Sequence, residues 1–519
     1  MVRQRQKKSL GPSRSPPTTA DSTIAVGTAF VGIKRKHTQL HYPNVLPASQ
    51  ATASISWLLL LARAIQRDFP LIPGCVPACC RSKWGTMKVL KHSPRSGRSR
   101  RTSDDAGTSV RGPQFLLESV SLERFKAAFR PDPLSISPFT VIIGRNGSGK
   151  STVLEALQWL DIAMRHDAIR ACDRYSGIHD LLNIRSRGKT RYFKLGLSWK
   201  SSLPKAAGPT AEYELRVDES TDGRPLIHSE TLIVREANHT EIPIIRTEVE
   251  GNRDSPGRRV LFPNERERSR IFDEPDRLAL NRLAGSANDE SLPHVALEAI
   301  RSFWERAVFL RLSPQRLAQG SPPKRRSFDP ILDEEGQTLP ALLNELTPRQ
   351  KAALVEAVQS ALPDVRGLVV SETSSSREQN AYWSMKEKMP IGYAGKGSYE
   401  IPASMLSEGT RRLTAILALL IRRPPPSLLC IEEIENGLDP WTVLDVLDRL
   451  KNAPRRGTQA ILTSHSPWLL DNVDLDAIRL VNRKDGTTRY STFRGASGVK
   501  KFLQSVPPGA RYVNLMDSE

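Results

Sequence analysis

The sequence predicts a three-layer α/β core that is assembled from both ends of the chain. The first observation is a strand, a glycine-rich loop and a helix in direct succession between residues 140 and 160. The second is a pair of apolar runs near the C-terminus, residues 428–431 and 460–463, each followed by polar residues. Such short apolar runs are typical of buried strands. The long stretch between the two ends predicts a mixed α+β insertion.

The composition is that of an ordinary folded protein with a basic surplus. Of 519 residues, 39% are hydrophobic and 25% are charged, which excludes a membrane bundle, a coiled-coil rod and a wholly disordered chain. The 76 Lys and Arg outnumber the 56 Asp and Glu, for a net charge of +20. Residues 1–112 hold 19 Lys and Arg and 4 Asp and Glu, so +15 lies there and +5 on the other 407 residues. The charge therefore gives little support for nucleic-acid binding by the part that folds.

Residues 1–112 lack the pattern of a domain and are predicted to form a disordered basic tail. The apolar run 55–65 is too short to span a membrane and too far from the N-terminus for a signal peptide. Cys75, Cys79 and Cys80 lie here without the second pair of ligands that a zinc site needs. Three interpretations stay open: a tail that contacts nucleic acid, a solvated tail without function, or a translation start further downstream, for instance at Met87.

The loop after the first strand is a phosphate-binding motif. The apolar run Thr140–Ile143 leads into G-x-x-x-x-G-K-[ST], and a helical pattern follows. In this context the glycines let backbone N–H groups surround the β- and γ-phosphates, and the helix N-terminus adds its partial positive charge. Lys150 would bind the β- and γ-phosphates, and the Ser151 hydroxyl would bind Mg²⁺. The sequence predicts a nucleoside-triphosphate site formed by Gly144, Arg145, Asn146, Gly147, Ser148, Gly149, Lys150, Ser151 and Thr152.

Two adjacent carboxylates follow the second strand. Glu432 and Glu433 come directly after the apolar run Leu428–Ile431. A phosphate-binding loop needs an acidic partner on a neighbouring strand to hold Mg²⁺ and orient water. We assign Glu432 to magnesium, where Asp is more usual, and Glu433 to the attacking water. The predicted metal ligands are therefore Ser151 and Glu432.

Two further segments flank these carboxylates. Ser407, Glu408 and Gly409 precede a long apolar helix, and a Ser at a helix start followed by small residues leaves N–H groups free to bind an anion. His465 follows the third strand, from which it can reach a γ-phosphate or its water. Glu433 and His465 are the predicted catalytic residues.

The order of these motifs resembles that of the ABC-class ATPases. The P-loop, LSEGT at 406–410, IEEIENGLDP at 431–440 and TSHSP at 463–467 are most similar to the AAA-type, SMC/RecF/OLD-like ATPases of prokaryotes. The segment 117–126, before the P-loop, matches that group too. The resemblance covers roughly residue 115 to the C-terminus, with a loose middle. The implied fold is a P-loop NTPase core of the ABC-ATPase kind.

The resemblance also implies a head-to-tail homodimer that binds ATP and Mg²⁺ between its subunits. The P-loop of one subunit would hold ATP, and Ser407–Gly409 of the other would cover the γ-phosphate. Gly437–Asp439 would lie at the interface, His465 would be the switch histidine, and Lys126 would lie near the nucleotide.

Two positions depart from the pattern of that group. Ile434 stands where Pro is usual, which we interpret as harmless. No clear glutamine follows the P-loop, and Gln315, after the strand-like residues 308–312, is a guess.

The middle of the chain predicts both strands and charged helices. The expected strands are 211–217, 231–234 and 242–249, and the expected helices are 265–283, broken near Pro275, 297–303 and 348–362. No heptad pattern continues, so the coiled coil of SMC proteins is absent. The 54 residues after His465 are too few for the TOPRIM domain of OLD nucleases, and Asp474–Asp476 is interpreted as a solvated helix start. We therefore expect no nuclease activity.

These observations divide the chain into four predicted segments: the tail 1–112, the N-terminal part of the core 113–200, the insertion 201–400 and the C-terminal part of the core 401–519. The predicted function is ATP hydrolysis by a cytoplasmic homodimer, accessory to nucleic-acid transactions or phage defence. Single cysteines at 172 and 430 fit a reducing compartment. The alternatives are a nucleotide-gated sensor that recruits a separate effector nuclease and, less favoured, a transporter ATPase subunit. DNA is a candidate partner, and a membrane is not.

Overall fold

The computed structural model describes residues 115–517, with gaps at 187–190, 202–207, 237, 239, 253–254, 262–269, 273, 283–290, 375–378, 390–396, 485 and 496–505. The predicted tail, residues 1–112, lies outside the described residues. All described residues belong to one unit, Ser103–Glu519.

The strands fall into three sheets. In chain order they are β1 (Phe115–Glu123), β2 (Leu134–Ser135), β3 (Phe139–Ile143), β4 (Tyr192–Ser201), β5 (Thr210–Glu219), β6 (Pro225–Arg235), β7 (Glu241–Asn252), β8 (Ser255–Leu261), β9 (Arg270–Phe272), β10 (Val308–Leu310), β11 (Val365–Ser374), β12 (Gln379–Lys388), β13 (Ser398–Pro402), β14 (Leu428–Ile431), β15 (Gln459–Ser464), β16 (Ile478–Lys484) and β17 (Thr487–Thr492).

The helices lie mostly in the second half of the chain. They are α1 (Lys150–Arg165), α2 (Ala168–Cys172), α3 (Ala279–Arg282), α4 (Leu292–Glu305), α5 (Pro314–Leu317), α6 (Leu339–Glu345), α7 (Pro348–Gln359), α8 (Glu408–Ile421), α9 (Pro440–Asn452), α10 (Pro467–Leu470) and α11 (Pro508–Asp517). Short 3-10 turns occupy Ile178–Asp180, Ala403–Met405, Ala453–Arg456, Leu475–Ala477 and Phe493–Gly495. No helix in the described part of the chain is long and apolar enough to cross a membrane.

The central sheet is parallel except at one edge. Its order is β10-β14-β15-β3-β16-β17, and only β17 runs antiparallel, against β16. Leu310 pairs with Ile431, Ile431 with Leu462 and Leu462 with Val141, so these strands end together. The residues that follow β3, β14 and β15 therefore emerge at one edge of the sheet. The three strands predicted around the motifs are confirmed.

The side chains of the central strands alternate between two hydrophobic cores. In β3, Ile142 belongs to the core that contains α1 and the antiparallel sheet, whereas Val141 and Ile143 belong to the core formed with α6, α7, α8 and α9. Period-two alternation of this kind is what a sheet buried on both faces produces. The predicted three-layer α/β core is therefore confirmed.

An antiparallel sheet of order β2-β1-β4-β5-β6-β7-β8-β9 covers α1. It joins β1, which precedes the P-loop, to strands predicted as the insertion, since β1 pairs with β4 and β4 pairs with β5. The predicted division at residue 200 falls at the end of β4, and the four-segment division stays a prediction. The side-chain amide of Gln459 on β15 both accepts from and donates to the backbone of Leu117 on β1, at 2.8 and 2.7 Å, and so links the two sheets.

Most secondary structure expected in the middle of the chain is present, with one error. The strands predicted at 211–217, 231–234 and 242–249 lie within β5, β6 and β7, and the helices at 297–303 and 348–362 correspond to α4 and α7. The helix predicted at 265–283 with a break near Pro275 is wrong before the break, because Arg270–Phe272 is strand β9, whereas Ala279–Arg282 after the break is helical. Pairing of β9 with β8 overrides the local helical pattern. The third sheet, β11-β12-β13, packs against α7.

Candidate functional site

The glycine-rich loop leaves an open space at its centre and is tightly packed at its start. Helix α1 begins at Lys150, directly after Gly149, whose φ is 106°. Gly147 has a φ of 74°, and a Cβ placed on it would meet no atom within 4 Å. A Cβ on Gly144 would instead lie 2.1 Å from the carbonyl oxygen of Val481 on β16. Glycine is therefore required at both positions, for backbone conformation at Gly147 and for close packing at Gly144.

The ammonium group of Lys150 lies over the loop. Its Nζ donates hydrogen bonds to the carbonyl oxygens of Gly144, at 2.8 Å, and Arg145, at 3.0 Å. Burial lowers the pKa of Lys150, and the nearby carboxylates, Glu433 first, oppose that shift. Beside it the Ser148 hydroxyl is buried without a hydrogen-bond partner among the described residues. The loop thus holds a cation and an unsatisfied hydroxyl beside an open space.

The carboxylate pair lies where β14 ends. The backbone N–H of Glu432 donates to the carbonyl of Leu310 at 2.9 Å, and that of Glu433 donates to Thr463 Oγ1 at 3.0 Å. Glu433 has a φ of 50°, a left-handed conformation that a non-glycine residue rarely adopts. Burial raises the pKa of Glu432, and the charge of Arg311 opposes this shift, with Arg311 Nε 3.6 Å from Glu432 Oε2.

Two carboxylates position His465. Its Nε2 is 3.3 Å from Glu433 Oε1, and Asn436 Nδ2 donates to the other oxygen of Glu433. Glu435 Oε1 accepts from the backbone N–H of His465 at 2.7 Å and from the Ser464 hydroxyl at 2.9 Å. Glu433 therefore contacts the imidazole ring, while Glu435 holds the backbone that carries it.

These groups share one cleft of about 440 Å³. It is lined by Ala127, Asn146, Gly147, Gly149, Lys150, Ser151, Thr152, Glu433, Thr463 and His465. A second cleft of about 450 Å³ is lined by Arg174, Arg311, Leu312, Ser313, Pro314, Glu334, Glu335, Arg412, Glu432, Glu433 and Asn436. Glu433 lines both clefts, so the two meet at this residue. The fold thus brings most of the predicted P-loop residues together with Glu433 and His465.

Lys126 lies beside the first cleft but is not among the residues that line it. Its Nζ is 2.8 Å from Glu155 Oε2 on α1. The next residue, Ala127, lines the cleft, and its carbonyl oxygen accepts from Thr488 Oγ1 at 3.1 Å. Thr488 Oγ1 also lies 3.0 Å from the carbonyl of Ser148, so β17 links this turn to the P-loop. The role of Lys126 stays a prediction.

The segment Ser407–Gly409 lies at the start of α8 and does not line the P-loop cleft of its own chain. The Ser407 hydroxyl accepts from the backbone N–H of Thr410 at 3.1 Å and so caps the helix. A Cβ on Gly409 would lie 2.6 Å from the carbonyl oxygen of Gly437. The segments Ser407–Gly409 and Gly437–Asp439 therefore lie against each other.

Two large apolar side chains are exposed next to these two segments. Asp439 caps α9 by accepting from the backbone N–H groups of Trp441 and Thr442, both at 3.0 Å. The hydrogen bond from the Thr442 hydroxyl, together with these backbone bonds, lowers the pKa of the Asp439 carboxyl. The side chain of Trp441 is 81% exposed, and that of Met405, just before Ser407, is 78% exposed.

A metal here would depend on few protein ligands. Within the described ranges, no three His, Cys, Asp or Glu side chains cluster to hold an ion. Mg²⁺ in phosphate-binding sites is held by one or two protein oxygens together with phosphates and waters. The exposed Ser151 at the first turn of α1 and the carboxylate of Glu432 are oxygen ligands of the hard type that Mg²⁺ prefers.

Other predicted positions lie away from the two clefts. Gln315 is exposed on α5 and lines neither cleft, so its assignment stays a guess. Asp474 precedes the 3-10 turn Leu475–Ala477, in agreement with its interpretation as a helix start. Ile434 is buried, and its N–H lies 3.3 Å from the carbonyl of Thr463, a contact that Pro could not make.

Sequence reasoning missed several residues that shape this site. Glu435 was part of a recognised motif, but only the fold shows that its carboxylate reaches the strand that carries His465. Arg311 directly follows β10, and its position near the end of the strand-like residues 308–312 was the available signal. Thr488 lies 340 residues from the loop that it contacts, and no local pattern marks it.

The fold and the glycine-rich loop together define the class of the protein as that of the nucleotide-binding P-loop NTPases. The profile of the family described as "AAA domain, putative AbiEii toxin, Type IV TA system" matches residues 139–471, which is more than half of the chain. The chain belongs to this family. No curated protein matches the sequence.

Solved structures of SMC heads are similar at low identity. An SMC head bound to the C-winged helix domain of ScpA is 15% identical, with a TM-score of 0.42 over 72% of this chain and 96% of that chain. The SMC head domain from Thermotoga maritima is 16% identical, with a TM-score of 0.32 over 72% and 98%. A head with an extended coiled coil, derived from Pyrococcus furiosus and bound to the C-terminal domain of ScpA, is 14% identical, with a TM-score of 0.38 over 76% and 100%. Similarity at this level carries no information on function.

Proposed function

We propose that this protein binds ATP with Mg²⁺ in the P-loop cleft and hydrolyses it. The observation that carries the proposal is the single cleft in which the P-loop, Glu433 and His465 meet. The open space at Gly147, the buried Ser148 hydroxyl and the Lys150 ammonium fit the phosphates of a nucleotide. Ser151 and Glu432 would hold Mg²⁺, which neutralises charge on the phosphates when it is bound.

Hydrolysis is assigned to the pair Glu433 and His465. The side chain of Glu433 is half exposed in the cleft and is oriented by Asn436 and His465, so it can accept a hydrogen bond from a water that attacks the γ-phosphate. His465 would contact that water or the terminal phosphate. Lys150 would leave the two loop carbonyls to bind phosphate oxygens, because a charged acceptor is the stronger partner.

The nucleotide-bound state is proposed to be a homodimer. Ser407–Gly409 does not line the P-loop cleft of its own chain, which supports contact between these residues and a γ-phosphate bound by a second copy. Gly409 packs against Gly437, which presents both segments on one surface, and the exposed Trp441 and Met405 lie next to them. Exposed apolar side chains beside a functional segment favour an interface.

A set of three variants tests hydrolysis and dimerisation. Lys150→Ala should remove ATP binding, whereas Glu433→Gln should keep binding, abolish turnover and accumulate a dimer in size-exclusion chromatography with ATP. Glu356→Gln, an exposed carboxylate on α7, is the matched control and should behave as the unmodified protein. Turnover in Glu433→Gln equal to that of the unmodified protein would show that the assignment is wrong.

The biological role is proposed to be accessory to nucleic-acid transactions or phage defence, in the cytoplasm. The family description names a toxin of a type IV TA system, which supports a defence role. The free, buried Cys172 and Cys430 fit a reducing compartment. A second candidate is a nucleotide-gated sensor that recruits a separate effector nuclease, and a transporter subunit is a third.

The ATPase rate with and without DNA separates the first two roles. A DNA-dependent increase that weakens with rising salt supports direct action on nucleic acid, because phosphate contacts release counterions. A slow rate that DNA does not change, with nucleotide-dependent capture of a nuclease, would favour the sensor. Co-purification of a membrane permease would favour the transporter subunit.

A further inference from the structure

The second cleft contains a cation that the proposed ATPase chemistry leaves unexplained. Three arginines line this cleft, and two of them are engaged: Arg174 is paired with Glu334, and Arg412 Nε is 3.1 Å from Glu408 Oε1. The third, Arg311, has a side chain that is 70% exposed. Its Nε lies 3.6 Å from Glu432 Oε2, which is ion-pair distance without a hydrogen bond.

The backbone of Arg311 is fixed even though its side chain is exposed. Its N–H donates to the carbonyl of Glu334 at 2.9 Å, and the preceding Leu310 pairs with Ile431 in the parallel sheet. Arg311 therefore follows β10 at the same edge where Glu432 follows β14. A long, exposed side chain on a fixed backbone can exchange one partner for another at low cost.

We propose that Arg311 changes partner with the nucleotide state: it pairs with Glu432 in the empty site and binds the terminal phosphate once Mg²⁺ takes that carboxylate. The proposal rests on the proposed function, since it needs a nucleotide in the P-loop cleft. It adds a γ-phosphate-binding residue that none of the recognised motifs contains, and it makes Arg311 a competitor of the metal for Glu432.

The terminal phosphate is the expected second partner because the two clefts meet at Glu433. A γ-phosphate that approaches Glu433 lies at their border, next to the cleft that Arg311 lines. Glu334 and Glu335 also line this cleft, but they are paired with Arg174 and Arg316, so an added anion is the partner open to the Arg311 guanidinium once Glu432 is taken. A diphosphate lacks the group that reaches this border.

Two binding experiments on the full chain test the exchange. Fluorescent N-methylanthraniloyl derivatives of ADP and of AMPPNP, a non-hydrolysable ATP analogue, report affinity in saturating Mg²⁺. Arg311→Ala should weaken AMPPNP binding by about tenfold or more, because a charge-assisted hydrogen bond is lost, and should change ADP binding by less than twofold. With ADP bound, Arg311→Ala should lower the Mg²⁺ concentration for half-saturation by up to about fivefold, since the exposed ion pair no longer competes.

Controls separate this proposal from the ATPase assignment. Arg311→Lys should retain part of the AMPPNP preference, and Arg494→Ala, which removes an exposed arginine paired with Asp476 at 2.7 Å away from both clefts, should change neither affinity. An Arg311→Ala protein with unchanged AMPPNP and ADP affinities and unchanged Mg²⁺ dependence overturns the inference. Nucleotide binding that persists in Lys150→Ala, or is absent in the unmodified protein, would instead overturn the proposed function.

Discussion

Replacing Glu435 by Ala should lower ATP turnover without a matching loss of ATP binding. The Glu435 carboxylate holds His465 through its backbone N–H, at 2.7 Å, and holds the neighbouring Ser464 hydroxyl at 2.9 Å. A hydrogen bond to a charged group contributes about 1.5–3 kcal/mol. If the loss of one such bond displaces His465 and removes that amount of transition-state stabilisation, the rate falls about 10- to 100-fold.

The matched variant Glu435→Gln keeps an oxygen acceptor at the same position and loses only the charge. We expect its rate to fall less, by about three- to tenfold. The assay is steady-state phosphate release alongside equilibrium binding of ATP, with Glu356→Ala on the exposed face of α7 as the control. Unchanged turnover in Glu435→Ala would refute the idea that this carboxylate positions His465. Parallel loss of binding and turnover would refute a role confined to catalysis.

Three further perturbations test the packing around the site. Thr488→Val should weaken ATP binding about fivefold, because the link between the P-loop and the preceding turn is lost, and Thr488→Ser should restore it. Gly409→Ala should lower the melting temperature and destabilise the protein by about 1–3 kcal/mol, since the new Cβ would lie 2.6 Å from the carbonyl oxygen of Gly437. An unchanged melting curve would show that Gly409 and Gly437 are not in close contact. Burial raises the pKa of Cys172 to about 11 and also raises the pKa of Cys430, so both thiols stay protonated and unreactive at pH 8. Mass spectrometry after iodoacetamide treatment at pH 8 should therefore find both cysteines unmodified until denaturant is added.

The parts of the fold that sequence reasoning recovered are those with a local signature. The P-loop and the runs before Glu432 and His465 combine an apolar strand with a chemically distinctive end, and all three strands are present in the parallel sheet. The antiparallel sheet was not foreseen as one structure, since its strands come from both sides of the P-loop. Pairing between β1 and β4 depends on contacts about 80 residues apart, as between Ser119 and Ser198, which no local period reveals.

The candidate site divides in the same way. Motifs predict the roles of Lys150, Ser151 and Glu433, because the neighbouring residues in the sequence identify each motif. Arg311 and Thr488 do not, because their importance comes from strand order and from hydrogen bonds across the fold. The helix expected at 265–283 was wrong before its predicted break near Pro275 for a related reason: strand pairing of β9 with β8 outweighed a helical charge pattern.

The contact between Thr488 on β17 and the P-loop affects when the site can form during translation. Thr488 and the loop carbonyl that it contacts are 340 residues apart in sequence. At about 5–20 residues per second, a ribosome needs roughly 20 to 70 s between making the loop and making the strand that holds it. For most of that interval the nascent chain has the phosphate-binding sequence without β14 and β15, and β17 is absent until its end. The ability to bind a nucleotide is therefore expected only after β17 has been made, and a chain that stops before β17 should lack it.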